Sequence, residues 1–248
     1  MTAGNLIRLT VLGILIGLLL RPDLFAGFFA LFAKSGQPVI YNQGSLLTIT
    51  ISHLLIVAVA ILGSTIVAVG LGILVTRPAG AEFLPLSRAI ANIGQTFPPV
   101  AVLALAVPVL GFGTAPTLVA LFLYGLLPVF ENTLTGFTNL PPRVIEAARG
   151  AGMTGRQRLL QVELPLALPV ILAGIRISTV IALATATIGS TVAARTLGEV
   201  IIAGLLTGNT AFVLQGGLIV GALAVLIYDG LSGIERLLMA QQGRSASR

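Results

Sequence analysis

The chain has 248 residues, 56% of them apolar and only 9% charged, with a formal charge of +6 and a mean hydropathy of +1.05. A water-soluble domain of this size needs far more charge to cover its surface, so the composition excludes an ordinary soluble enzyme and predicts an all-α, polytopic membrane protein. The positive balance then belongs to membrane topology, not to a nucleic-acid partner. With no cysteine and a single histidine, a disulfide framework, a thiolate metal centre and a histidine cluster are all excluded.

Crossing roughly 30 Å of hydrocarbon takes about 20 apolar residues in a helix. Six stretches qualify or nearly so: 6–20 with an extension through 24–33, then 53–76, 88–110, 115–138, 166–190 and 212–234. The first is open to two readings. Leu6 to Leu20 is short and carries Arg8 near its start, as in a cleaved leader. Against that, Arg21-Pro22-Asp23 offers no small-residue cleavage site, and Gly13 with Gly17 suits close helix packing. His53 opens the second stretch beside Thr48, Thr50 and Ser52 and reads as interfacial rather than as a proton relay. Gly63, Gly70, Gly72, Pro98, Pro99, Pro108 and Pro128 allow close approach and kinks within the stretches.

Basic residues set the orientation, because short cytoplasmic loops retain lysine and arginine. Ten of the fourteen fall on one side: Arg8, Arg77, Arg88, Arg143, Arg149, Arg156, Arg158, Arg236, Arg244 and Arg248. Arg21, Lys34 and Arg195 fall opposite, and Arg176 lies inside a span. Six spans in the cytoplasmic (inner) membrane, with both termini in the cytoplasm, are the expected topology.

Charges inside spans are costly and need partners or an escape to the interface. At about 1.5 Å per residue, Glu131 lies roughly 10 Å inside the fourth stretch and Arg176 about 12 Å inside the fifth. An ion pair between them is one reading, and separate snorkelling to the interface is the other. Asp229, near the end of the last stretch, is expected to snorkel.

Between the fourth and fifth stretches, Asn139-Leu140-Pro141-Pro142 stops one helix and Pro142 is placed to open another, its fixed φ suiting a first turn. Val144, Ile145, Ala147, Ala148 and Ala151 give that short helix a small-residue face, which Gly150 and Gly152 bring to a close. A second short helix, 156–162, leads into Leu164-Pro165. A short helix with small apolar residues and flanking arginines suits a groove on another protein, whereas an ordinary basic loop is the plainer alternative.

Chemistry of its own is not indicated. A phosphate-binding loop needs glycines and a lysine before Ser or Thr, but the sole lysine, Lys34, follows Ala33. An aromatic cage for quaternary ammonium is also unsupported, with no tryptophan and only Tyr41, Tyr124 and Tyr228. Solute capture is therefore expected on a separate binding protein.

The pattern Glu146, Ala147, Ala148, Gly152, Val162, Leu164 and Pro165 resembles the cytoplasmic coupling loop of the membrane-spanning permease subunits of ABC importers. Residues outside the loop are similar to the osmoprotectant branch, which imports glycine betaine, choline and carnitine. They include Asn92-Ile93-Gly94-Gln95-Thr96-Phe97-Pro98, Gly111-Phe112-Gly113, Tyr124-Gly125-Leu126-Leu127-Pro128 and Ala173-Gly174-Ile175-Arg176. The likeness covers about 50–235. It implies a single permease domain over 1–248 with the type I ABC importer permease fold, and a coupling loop at 139–165. It further implies that ATP and Mg bind partner ATP-binding subunits and not this chain, which needs no metal or cofactor. A second permease copy or homologue and an extracytoplasmic solute-binding protein would complete the assembly. Two departures from the branch are Ala193-Ala194-Arg195-Thr196-Leu197-Gly198, where glycines are common, and Glu131, where a basic residue is common. An ABC permease for another small solute such as an amino acid, or a gradient-driven carrier, remains as an alternative.

Overall fold

The computed structural model describes residues 3–246, with side chains described for 4–240. Of the basic residues counted at the C-terminus, Arg248 lies outside the described residues and so does the side chain of Arg244. The described residues are helical with short connections: α1 Ala3–Leu20, α2 Ala26–Ala30, α3 Leu46–Val75, α4 Leu84–Thr96, α5 Pro99–Leu110, α6 Thr114–Thr138, α7 Pro142–Gly150, α8 Gly155–Arg158, α9 Leu164–Thr185, α10 Gly198–Thr207 and α11 Thr210–Ala246.

Four helical runs are long and apolar enough to cross a membrane: α3, α6, the run Gly155–Val192 that contains α8 and α9, and α11. The first and third apolar stretches are instead bent pairs, which raise the count to six only if each pair is one span. In the first, the chain turns by 115° between Gly4–Leu20 and Pro22–Ala30. Pro22 has no N–H with which to continue α1, and it opens a new 3-10 turn instead. In the third, Pro98 and Pro99 leave two adjacent helical hydrogen bonds unmade, and Phe97 takes the extended backbone (φ −100°, ψ 141°) favoured before proline. Continuous hydropathy over 88–110 hides this break.

The exposed residues Ile51, Leu55, Val59, Leu62 and Ile66 form a stripe at helical spacing along α3. Such a stripe suits hydrocarbon, where apolar side chains cost nothing on an outward face.

By contacts the chain divides into two units, each assembled from three segments. One comprises Met1–Ala60, Pro98–Leu121 and Val180–Ile227. Its core gathers Leu15, Leu18, Phe29, Tyr41, Leu46, Ile49, Leu197, Val200, Phe212 and Ile219. The segment before α3 has no regular ladder, so its backbone is held by two amide side chains from the start of α11. Gln215 accepts the Tyr41 N–H at 3.0 Å and donates to the Val39 carbonyl at 2.8 Å. Asn209 donates to the Pro38 carbonyl at 2.8 Å and accepts the Ala211 N–H at 3.1 Å, capping α11. His53 belongs to this unit and its side chain is buried among its helices. Its Nδ1 accepts the Leu197 N–H at 3.3 Å, giving that backbone donor a partner where water does not reach.

The other unit comprises Ile61–Phe97, Phe122–Thr179 and Tyr228–Arg248. Small residues let its helices approach closely: an added Cβ on Gly174 would stand 2.7 Å from the Pro128 carbonyl oxygen, and one on Gly125 2.6 Å from the Ser64 hydroxyl. Ser64 and Ser178 donate across these contacts to the carbonyls of Phe122 and Gly125, each at 3.0 Å. Pro128, inside α6, cannot donate to the carbonyl of Tyr124 one turn earlier. Gln95 Nε2 supplies the missing donor at 3.0 Å, so the proline is tolerated without an orphaned carbonyl.

This packing predicts a difference in stability between two glycine positions. A Cβ on Gly94 would overlap the Leu123 carbonyl group. Gly94→Ala is expected to cost about 1–3 kcal/mol by overpacking. Gly70, with nothing within 4 Å of its added Cβ, serves as the control. Thermal unfolding of the detergent-purified variants should show a lowered midpoint for Gly94→Ala and none for Gly70→Ala.

Candidate functional site

The loop singled out in the sequence folds as α7, a turn, and a helical run that continues without interruption into α9. Pro142 occupies the first turn of α7. At its end, Gly152 takes φ +74°, a conformation that costs an L-residue about 1–2 kcal/mol. The Ala151, Gly152 and Met153 N–H groups donate back to the carbonyls of Ala147, Arg149 and Ala148 at 2.9, 2.9 and 3.2 Å, so the helix end is closed. Thr154 then caps α8 in a capping box with Gln157. In place of a separate helix over 156–162, α8 passes through a π-type turn, Leu159–Glu163, into α9.

The seven motif residues divide by exposure. Glu146 and Ala147 are exposed, Ala148 is buried, Val162 and Leu164 are half-buried, and Gly152 and Pro165 lie at the surface. The small-residue face is thus shared: Ala148 packs inward, whereas Val144 and Ala147 face out beside Arg143, Glu146 and Arg149. Glu146 has no hydrogen-bond or ion-pair partner among the described residues. The helix therefore presents an exposed face with a closed end and an unpaired charge.

Glu163 is what fastens this surface. Its carboxylate, 6% exposed, receives Arg77 at 2.5 Å on one oxygen and Arg158 at 2.6 Å on the other. Arg77 follows α3, and its guanidinium lies 5.5 Å from the centre of the Phe137 ring near the end of α6. One buried carboxylate therefore ties the approach to α9 to the ends of two long helices. Sequence alone places Glu163 and Arg158 only among the charges of the loop. The available signal was a carboxylate set between Val162 and Leu164.

The expected pairing of Glu131 with Arg176 is corrected. Glu131 instead takes a two-pronged pair with Arg88 of α4, Nε to Oε1 at 2.6 Å and Nη2 to Oε2 at 3.1 Å. Arg176 pairs with Glu235 of α11 at 2.7 Å and lies over the Tyr228 ring at 4.8 Å. Depth along a helix follows from residue count, but rotation about the helix axis decides which neighbour each charge meets.

A second feature lies in the unit that holds α10. A hollow of about 590 Å³ is lined by Gln43, Ser190, Arg195, Glu199, Ile202 and Leu206, among others. Ala193, the one non-glycine residue with positive φ (+63°) among the described residues, ends the preceding 3-10 helix, and Arg195 follows two residues on. Tyr41 donates its hydroxyl to Glu199 Oε1 at 2.9 Å. Burial, with Glu199 beside it, pushes the Tyr41 phenol well above its usual pKa, so the hydroxyl keeps its proton and remains a donor.

Among the described residues, several helices long and apolar enough to span a bilayer, joined by an exposed interhelical loop, have the form of a multi-pass membrane protein. The family model described as "Binding-protein-dependent transport system inner membrane component" matches residues 68–234, and the chain belongs to that family. It is 43% identical over 190 residues to the osmoprotectant import permease protein OsmY of Salmonella typhimurium, covering 77% of this chain and 80% of that protein. It is 40% identical over 198 residues to the glycine betaine/carnitine/choline transport system permease protein OpuCB of Bacillus subtilis, covering 79% and 89%. Among solved structures, the inward-facing MetNI methionine ABC transporter is similar with a TM-score of 0.66 at 24% identity, covering 75% of this chain and 93% of that one. That likeness is one of fold, the type I ABC importer permease fold.

Proposed function

We propose that this chain is the permease of an ATP-driven importer of compatible solutes such as glycine betaine, choline or carnitine. The observation that carries the importer reading is the loop itself: the motif folds as an exposed α7 closed by left-handed Gly152 and braced through Glu163. The solute class is supported by the names of the relatives at about 40% identity. Partner ATP-binding subunits, which carry the ATP and Mg, engage α7 through Val144, Glu146 and Ala147. Closure of those subunits drives α7, and the Arg77–Glu163–Arg158 brace passes the displacement to the spans. The pathway opens alternately to each side between this chain and a second permease, with solute delivered by an extracytoplasmic binding protein. Both termini and α7 lie on the cytoplasmic side of the inner membrane, a placement that the arginine distribution supports.

Uptake of labelled glycine betaine, choline and carnitine into proteoliposomes holding the full complex tests this against an amino-acid panel. ATP-dependent accumulation of the former at raised osmolarity is the expected result. Accumulation of an amino acid alone would replace the solute class, and uptake without ATP would replace the mechanism.

A further inference from the structure

The hollow beside α10 is not used by the coupling mechanism, yet it has the features of a small-ligand site. Its volume of about 590 Å³ falls within the roughly 300–1,000 Å³ usual for such sites. Arg195 and Glu199 both line it, four residues apart, and no salt bridge or hydrogen bond joins their side chains, so the exposed Arg195 guanidinium is open to a ligand. Glu199 is oriented from behind, because the Tyr41 hydroxyl holds Oε1 at 2.9 Å and leaves Oε2 for something else. Arg195 is held from the backbone side, where its carbonyl accepts the Ser52 hydroxyl at 2.8 Å. The left-handed Ala193 just before it is a conformation that surrounding structure must enforce, and such positions gather at ligand sites. Ile202, Ala203 and Leu206 add apolar lining to the same hollow.

A cation and an anion lining one largely apolar hollow complement a molecule carrying the opposite pair. We propose that this hollow is a subsite for a zwitterionic solute, with the carboxylate at the Arg195 guanidinium and the quaternary ammonium at Glu199, its methyl groups against Ile202 and Leu206. A quaternary ammonium has no N–H to donate, so charge and methyl contact are the only means of holding it. By the arginine distribution Arg195 falls on the side opposite the coupling loop, the side on which the binding protein would release its cargo. The proposal rests on the osmoprotectant reading and adds to it a discrimination: the permease itself distinguishes zwitterions from simple cations.

The test compares glycine betaine with choline, which keeps the quaternary ammonium but lacks the carboxylate. Transport rates are measured in proteoliposomes at saturating, fully loaded binding protein, so that the affinity of that protein drops out. Arg195→Gln is expected to lower the glycine betaine rate about tenfold, the cost of roughly 1.4 kcal/mol, while choline stays within about twofold. Arg195→Lys, which keeps the charge, is expected to recover most of the loss. Equal effects on both solutes, no effect on either, or a lysine variant no better than glutamine would overturn the subsite. A wild-type complex that moves choline but not glycine betaine overturns it as well and leaves the importer intact. A wild-type complex that moves neither removes the osmoprotectant reading, and the subsite with it.

Discussion

Glu163→Gln should lower the stability of the purified protein by about 3 kcal/mol, because breaking a buried ion pair leaves a charge uncompensated. Here two guanidiniums would be left facing one amide, which can receive only one of them well. Arg77 and Arg158 are 27% and 19% exposed, so water relieves them only in part. The loss should appear as a lowered thermal midpoint in detergent. A cycle with Arg158→Gln should show the two substitutions to be non-additive, since they share one contact. In the assembled complex the same variant should keep hydrolysing ATP while losing uptake, because α7 would move without carrying α3 and α6 with it. An unchanged midpoint would mean that the brace is not structural, and full uptake would mean that it is not part of the coupling path.

Gly152→Pro should reduce ATP-driven uptake to background while the protein still reaches the membrane. Proline holds φ near −65°, whereas Gly152 stands at +74°, and it also removes the N–H that closes α7 on the Arg149 carbonyl at 2.9 Å. Nothing within 4 Å crowds an added Cβ at this position, so the effect is conformational and not steric. Gly152→Ala isolates that conformational part. At about 1–2 kcal/mol it should weaken uptake roughly tenfold and leave a measurable residue. Uptake at the wild-type rate in both variants would show that the turn geometry after α7 does not matter to the motor.

Much of the loop was legible because local rules write it. Proline at a first turn, glycine at a helix end and a run of small residues each act within a few positions, and Pro142, Gly152 and Ala148 lie where those rules put them. The existence of apolar helices was legible for the same reason. What escaped depends on residues far apart in the chain. Arg77 and Glu163 are brought together by the path of α3 and α6 around the loop, and Arg88 reaches Glu131 only because α4 turns its arginine toward α6. No hydropathy window carries helix rotation. The break at Phe97-Pro98 was visible in principle, since two adjacent prolines cannot both be absorbed by an α-helix, but the apolar run on either side reads as one span. Gln95 as the donor replacing the N–H of Pro128 is legible only once α4 and α6 are known to touch.

The outer face of α7 is expected to meet an ATP-hydrolysing subunit, and a sequence without cysteine allows that contact to be probed with one introduced thiol. Ala147→Cys would carry the sole thiol in the chain. Labelled there with a maleimide-linked benzophenone and irradiated within the assembled complex, this variant should crosslink to the ATP-binding subunit. Leu206→Cys, at a position 84% exposed on α10, should not. Crosslinking of the labelled Ala147→Cys variant to lipid or to a second permease alone, with the ATP-binding subunit unlabelled, would show that this face of α7 does not meet the motor.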